Sequence, residues 1–252
     1  MSKAIRQIAF YASLLGLWQV ISALKLWPTY LFPTPATVCE SLQAGFADQG
    51  LWIAIAVSLK RVVIGYAISC ALGIVLGFVT ARSRLASETL GRLFVSLQSL
   101  PSICWLPVAI LWFGLSEKAI LFVVIMGSVL SITISVETGL RSTPNLYLMA
   151  GRNLGARGWG LGLHVLLPAC MPHLVSGLKQ GWAFAWRSLI SGEMIFVTLG
   201  LGQVLMLGRE LNDISQVFAV MLLIVAIGWL VDALCFRPLE WSLQKRWGFP
   251  SM

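Results

Sequence analysis

Charge is scarce in this 252-residue chain: Asp, Glu, Lys and Arg together make up 11% of it. So little charge cannot cover a water-soluble globule. With 58% hydrophobic residues and a mean hydropathy of +0.85, the chain reads as a polytopic membrane protein. Histidine is nearly missing. Only His164 and His173 occur, neither has a Cys or carboxylate at ligand spacing, and no metal site or His-based catalysis is expected. The five cysteines (Cys39, Cys70, Cys104, Cys170 and Cys235) include no C-x-x-C pair and read as packing residues. There is no G-x-x-x-x-G-K-[ST] phosphate loop, so the chain is not expected to hold ATP in that manner and its energy must come from elsewhere. No Ser, His and Asp set can be placed in a common cavity, which argues against a membrane hydrolase. The net charge of +8 is not a nucleic-acid signature, because no basic run is interleaved with aromatics.

What is present is apolar length. A bilayer core needs about 20 mostly apolar residues per helix, and about six such stretches can be marked: 8–24, 62–81, 90–113, 119–136, 173–197 and 217–236. With the N-terminus in the cytoplasm, eleven basic residues fall inside, among them Lys3, Arg6, Arg82, Arg84, Arg92, Arg141, Arg152, Arg157, Arg237, Lys245 and Arg246, against five outside. This satisfies the positive-inside rule and places both termini in the cytoplasm. The first apolar run is read as a span, not a secretory signal peptide, because no small-x-small cleavage site follows. No internal repeat or linker divides the chain, so residues 1–252 are expected to form a single transmembrane domain.

Local punctuation adds detail. Thr34 followed by Pro35 has the form of an N-cap and first helical residue, and Val38, Leu42 and Phe46 recur at helical spacing, which predicts a short amphipathic helix near the outer surface. Gly73 and Gly77 form a G-x-x-x-G that lets another helix approach closely. Pro101 and Pro107 interrupt the third span, so it should be kinked or partly unwound, and unwound backbone at that depth is tolerated only where protein buries it or a cavity hydrates it. The pathway is expected there. Residues 141–168 read as helix, turn, helix, with Pro144 opening the first and Gly155 or Gly158 supplying the positive φ of the turn.

Intramembrane polar residues are costly and usually functional. The fifth span carries Trp182, Trp186 and Glu193 on one face and Arg187 about 100° away. Arg187, with Gln98, Trp105 and the nearby tryptophans, is a candidate for a transient path for a small oxyanion, since guanidinium forms paired hydrogen bonds to such groups. The alternative is that Arg187 pairs with Glu193 or a backbone carbonyl and ties helices together. Lys179 is expected to reach toward the membrane surface, and Asp232 to pair with Arg237.

The stretch 149–168 resembles the coupling loop of binding-protein-dependent ABC importer permeases, in which Glu-Ala-Ala is followed by Gly, then by an aliphatic residue and Leu-Pro. Ala150, Gly155, Val165, Leu167 and Pro168 stand at the corresponding offsets; Met149 stands where the family usually has Glu, and Gly151 where it has Ala. Leu31-Phe-Pro-Thr-Pro, Trp105-Leu-Pro-Val-Ala-Ile-Leu-Trp-Phe-Gly and the run Gly177 to Glu193 are similar to the nitrate, sulfonate, taurine and bicarbonate group of these permeases.

The resemblance implies an all-α, type I permease-like bundle with a cytoplasmic coupling helix. Its ATPase contacts would be made around Met149, Ala150, Gly151, Arg152, Leu154, Gly155, Ala156, Leu167 and Pro168. It also implies a non-catalytic subunit in the inner membrane, working with a second copy of itself, two ATPase subunits that carry ATP and Mg, and a periplasmic or lipid-anchored binding protein. The cargo implied is a small oxyanion, with a thiamine-precursor or pyrimidine-like solute as the alternative. A stand-alone secondary transporter would not need the docking loop.

Overall fold

The computed structural model describes residues 3–28, 30–196 and 199–247; Val197, at the end of the expected fifth span, and the side chains of Lys3 and Arg246 lie outside them. All regular structure among these residues is helical. We number the helices α1 (Lys3–Ala23), α2 (Pro35–Ala47), α3 (Gly50–Arg82), α4 (Arg84–Gln98), α5 (Ser102–Phe113), α6 (Glu117–Arg141), α7 (Asn145–Asn153), α8 (159–195), α9 (Leu201–Glu210) and α10 (214–247). The chain forms two compact units, Met1–Ser58 with Glu193–Ile227, and Leu59–Gly192 with Gly228–Met252.

Three helices, α3, α6 and the stretch Ile214–Leu243 of α10, are long and apolar enough to cross a bilayer, and α4 with α5 makes a fourth as a bent pair. The other two expected spans, α1 and α8, are long enough. Their hydropathy is lowered by Arg6, Gln7 and Gln19 in α1 and by Lys179, Gln180, Arg187 and Glu193 in α8.

In the larger unit α6 is the axis, with 61% of its apolar window buried. One stripe of small residues on α3 (Gly65, Ser69, Gly73 and Gly77, four apart) meets one stripe on α6 (Val124, Ser128, Ile132 and Val136, also four apart). A methyl group at Gly73 would stand 2.8 Å from Ile132 Cβ and 3.1 Å from the Val129 carbonyl oxygen; at Gly77 it would stand 2.6 Å from Val136 Cβ and 2.8 Å from the Thr133 carbonyl oxygen. The expected close approach is therefore real, and glycine is what permits it. Within the stripe the Ser128 hydroxyl lies 2.8 Å from Ser69 Oγ.

The facing stripe residues are each separated by 59 positions, as in the Ser69–Ser128 pair. A constant offset means that α3 and α6 run parallel. Arg61 and Glu117 meet at 2.9 Å at one end, and Arg141 donates to the Thr80 carbonyl at 3.3 Å at the other. The chain that links them must therefore cross from one end to the other, so the bent pair α4/α5 is a broken span that traverses, not a loop that re-enters. The two halves meet at 103°, and Pro101, at φ −55° and ψ 137°, is where the helix stops. Pro107 does not break the helix: a 3-10 turn over Ser102–Trp105 leads into the α-helical stretch Leu106–Phe113, and Pro107 stands in the first turn of that stretch.

Helix α8 lies antiparallel to α6. A methyl group at Gly139 would stand 2.7 Å from His173 Cβ near one end, and one at Gly192 3.5 Å from Ile120 Cγ2 near the other. α10 in turn runs against α8, with Lys179 paired to Asp232 at 2.9 Å and to Glu240 at 3.2 Å. Lys179 thus holds two carboxylates, while Asp232 also takes Arg237 at 3.4 Å, as the sequence suggested.

In the smaller unit Thr34 caps α2 through the Thr37 N–H at 3.2 Å, and Val38 is buried beneath the helix. A second knot closes around Glu193, whose side chain is fully buried. The Ser58 hydroxyl donates to both carboxylate oxygens, at 2.7 and 2.9 Å, and the Gly202 N–H donates to one of them at 3.1 Å. The Leu201 N–H donates to Ser58 Oγ at 2.9 Å. Leu201 and Gly202 open α9, and Gly200 before them has no side chain with which to cap it. Glu193 and Ser58 satisfy these first N–H groups from a distance, and the negative charge suits the helix N-terminus.

Candidate functional site

Two places in the larger unit collect the residues singled out from sequence. The first is the short helix α7 and the turn after it. Pro144 at φ −60° and ψ 135° stands just before the helix. Its end is a Schellman closure: the Ala156 N–H reaches the Gly151 carbonyl at 2.9 Å and the Gly155 N–H reaches that of Arg152 at 3.0 Å. Gly155 has φ +86° and Gly158 φ +53°, so both glycines take the left-handed conformation the turn requires.

Gly151 is the buried side of α7. A methyl group there would lie 2.7 Å from Val165 Cγ2 and 2.9 Å from Leu161 Cδ1, which gives a steric reason for Gly at a position where Ala would crowd. Three apolar side chains stand out from the helix: Leu146, Met149 and, at its C-cap, Leu154 are 70%, 62% and 89% exposed. Ala150 and Arg152 are exposed with them, and Ala156 is half-buried. Leu167 packs against the buried cluster of Ile132, Val136, Leu140 and Cys170. Pro168 follows a π-turn over Gly162–Leu166, where the widened ladder makes room for a proline ring.

The second place is the break in the α4/α5 span. The Ser99–Pro101 corner, with Gln98 and Ser102, walls a cleft of about 260 Å³ whose other side is formed by Met126, Gly127, Phe184 and Arg187. Gly127 is required chiefly by Ser188 of α8, whose hydroxyl would overlap an added methyl group and whose Cβ would stand 3.0 Å from it, with Ser102 Cβ next at 3.2 Å. Arg187 is exposed to this space. Its Nε donates to the Ala183 carbonyl at 3.1 Å, and its guanidinium carbon lies 4.7 Å above the Phe184 ring. No carboxylate pairs with it among the described residues. Nε and one face are engaged, and among the described residues no hydrogen bond or ion pair takes the two terminal amino groups.

The structure brings Gln98 and Arg187 together and places the other four elsewhere. Trp182 and Trp186 are buried and stacked, 6.3 Å apart and 10° from parallel. Tyr66 stands edge-on to Trp182 at 5.4 Å and donates its hydroxyl to the Leu178 carbonyl at 2.8 Å. Trp105 is half-buried, edge-on to Phe122 at 6.3 Å. Glu193 is caged as described above. Phe184, Met126 and Gly127 were not singled out from sequence. Phe184, three residues before Arg187 and so on the same helix face, could have been; Met126 and Gly127 left no signal.

A family model described as "Binding-protein-dependent transport system inner membrane component" matches residues 73–238. The chain is 26% identical to the nitrate import permease protein NrtB of Synechocystis, over 91% of this chain and 86% of that one. It is also 26% identical to the taurine transport system permease protein TauC of Escherichia coli, over 89% and 84%. Its fold is shared with a chain of the inward-facing MetNI methionine ABC transporter, at a TM-score of 0.57 and 22% identity over 77% of this chain and 94% of that one. The helices, the broken span and the exposed short helix are those of a multi-pass membrane permease. The match covers well over half of the residues, and the chain belongs to the binding-protein-dependent ABC transporter permeases, the inner membrane components of such systems.

Proposed function

We propose that this chain is the transmembrane subunit of an importer for a small oxyanion, of the class formed by nitrate, bicarbonate and sulfonates such as taurine. The observation that carries this reading is the cleft at the broken span, where Gln98 and an arginine without a carboxylate partner among the described residues face one small space. Guanidinium offers parallel N–H donors to an oxyanion, and Gln98 offers an amide N–H to the same ligand. The relatives named above transport such anions by their names.

The exposed apolar side chains of α7 support docking of an ATPase subunit at Leu146, Met149 and Leu154. In this reading two copies of the chain sit over two ATPases, which hold ATP and Mg, and receive cargo from a periplasmic or lipid-anchored binding protein. This chain performs no chemistry. The end of the larger unit that carries Arg82, Arg84, Arg92, Arg141, Arg152 and Arg157 faces the cytoplasm, with both termini.

Uptake of labelled nitrate, bicarbonate and taurine at matched expression tests the cleft. Loss of a charge-assisted hydrogen bond costs roughly 1.5–3 kcal/mol, so Arg187→Gln should lower uptake of the transported anion about tenfold or more, with Arg187→Lys retaining part of it and ATPase copurification unchanged. Full uptake by both variants would remove Arg187 from the path.

A further inference from the structure

A second, wider cleft of about 850 Å³ opens at the basic end of the larger unit, and Ser87, Gly91, Arg92, Ser96, Glu137 and Arg141 line it. It lies on the same two helices as the first. On α6 one face carries Arg141, Glu137 and Ile134 along the wide cleft and Leu130, Gly127 and Met126 along the narrow one, while the α4 lining passes from Ser96 in the first to Leu97 and Gln98 in the second. The two clefts are successive stretches of one α4/α6 seam. At a rise of about 1.5 Å per residue, Arg92 stands roughly 9 Å below Gln98 along α4.

The charges of this lower mouth are arranged unequally. Glu88 is paired with Arg84 at 2.9 Å. Glu137, mostly buried, is paired with Arg141 at 3.3 Å and accepts the Ser87 hydroxyl at 2.5 Å. A methyl group at Gly91 would touch the Glu137 carboxylate at 3.0 Å, so the glycine lets that carboxylate fold flat against α4. Both acids are thus neutralised, and Arg92, which is exposed and has no carboxylate partner among the described residues, supplies the net charge of the mouth.

We propose that Arg92 is a specificity-determining residue at the inner mouth of the path: it makes the exit selective for anions, and Ser87, Gly91 and Arg141 keep Glu137 from cancelling it. The proposal rests on the reading that the upper cleft carries an oxyanion. Arg187 and Arg92 then form two cationic stations, the narrow one with fixed partners, the wide one hydrated and weaker, so an anion that leaves the first is drawn toward the cytoplasm and not held there.

The test is charge-selective access. In inverted vesicles carrying the assembled transporter, with the exposed thiols removed by Cys39→Ser, Cys104→Ser and Cys235→Ser as background, Ser96→Cys is modified by an anionic and by a cationic methanethiosulfonate of similar size. The ratio of anionic to cationic rates should exceed one. Arg92→Gln should lower that ratio about fivefold, Arg92→Lys should restore it, and Glu137→Gln should raise it. A merely structural role for Arg92 would change both rates together, and a ratio unmoved by Arg92→Gln would overturn the proposal. The readout needs no transport. A normal ratio shift together with anion uptake that ignores Arg187→Gln would retire the upper cleft as an oxyanion station and leave Arg92 as the selective mouth.

Discussion

The knot around Glu193 makes a non-additive prediction. Replacing Glu193 with Ala strands the Ser58 hydroxyl and the Gly202 N–H in a fully buried place. Hydrogen bonds to a charged group are worth about 1.5–3 kcal/mol each, and removing one partner of a buried set leaves the other unsatisfied. The expected loss is about 3–5 kcal/mol, or roughly a 10 °C fall in the unfolding midpoint for a chain of this size. Gly200→Ala acts by a different route: the new methyl carbon would sit 2.5 Å from the Glu193 carboxylate carbon and oxygens. At φ 165° the backbone of residue 200 is open to any residue, so the cost is purely steric, about 1–3 kcal/mol. Once Glu193 is Ala, the space the methyl needs is vacant. Adding Gly200→Ala to Glu193→Ala should therefore cost nothing further, a coupling of about the whole Gly200 penalty. Thermal unfolding of the four purified proteins in one detergent, followed by size-exclusion of the folded fraction, measures the cycle. Simple addition of the two losses would refute the packing and the cage.

Two further outcomes follow from the zipper and the turn. Gly77→Ala drives a methyl group into the Thr133 carbonyl and should destabilise by about 1–3 kcal/mol, whereas Gly16→Ala, with nothing within 4 Å, should be neutral or gain up to about 1 kcal/mol; unfolding midpoints of both variants decide. Gly155→Val has space for its side chain but must hold a β-branched residue at φ +86°, so the Schellman closure should open, ATP-driven uptake should fall at least tenfold, and membrane insertion should be unchanged; normal uptake would count against α7 as the coupling element.

Features written in short-range chemistry were legible in the sequence. The Thr34–Pro35 start, the Pro101 break and the glycines of the α7 turn each depend on φ restrictions or missing N–H groups, which a residue carries with it. The Gly73 and Gly77 approach was legible as a pattern, though its partner on α6 was not. Side-chain direction was much less accessible. Helical spacing puts Trp182, Trp186 and Glu193 on one face, but it cannot say whether that face meets protein or a cavity, and here the tryptophans stack into the core. Glu193 meets donors from Ser58, 135 residues earlier, a pairing no local pattern contains. Lys179 likewise meets Asp232 and Glu240, carboxylates on another helix that its own surroundings in the sequence do not announce.

The parallel α3/α6 register also sets an order of assembly. A hairpin of antiparallel neighbours can close as soon as its turn leaves the ribosome, but the contacts in this pair wait for residues 56 to 61 positions later. At about 5–20 residues per second, the glycine face of α3 spends roughly 3–12 s without its partner. During that interval lipid, or an insertase, must shelter a helix surface that has almost no side chains of its own. Biogenesis, more than the finished stability, is then where crowding of that stripe would first be felt.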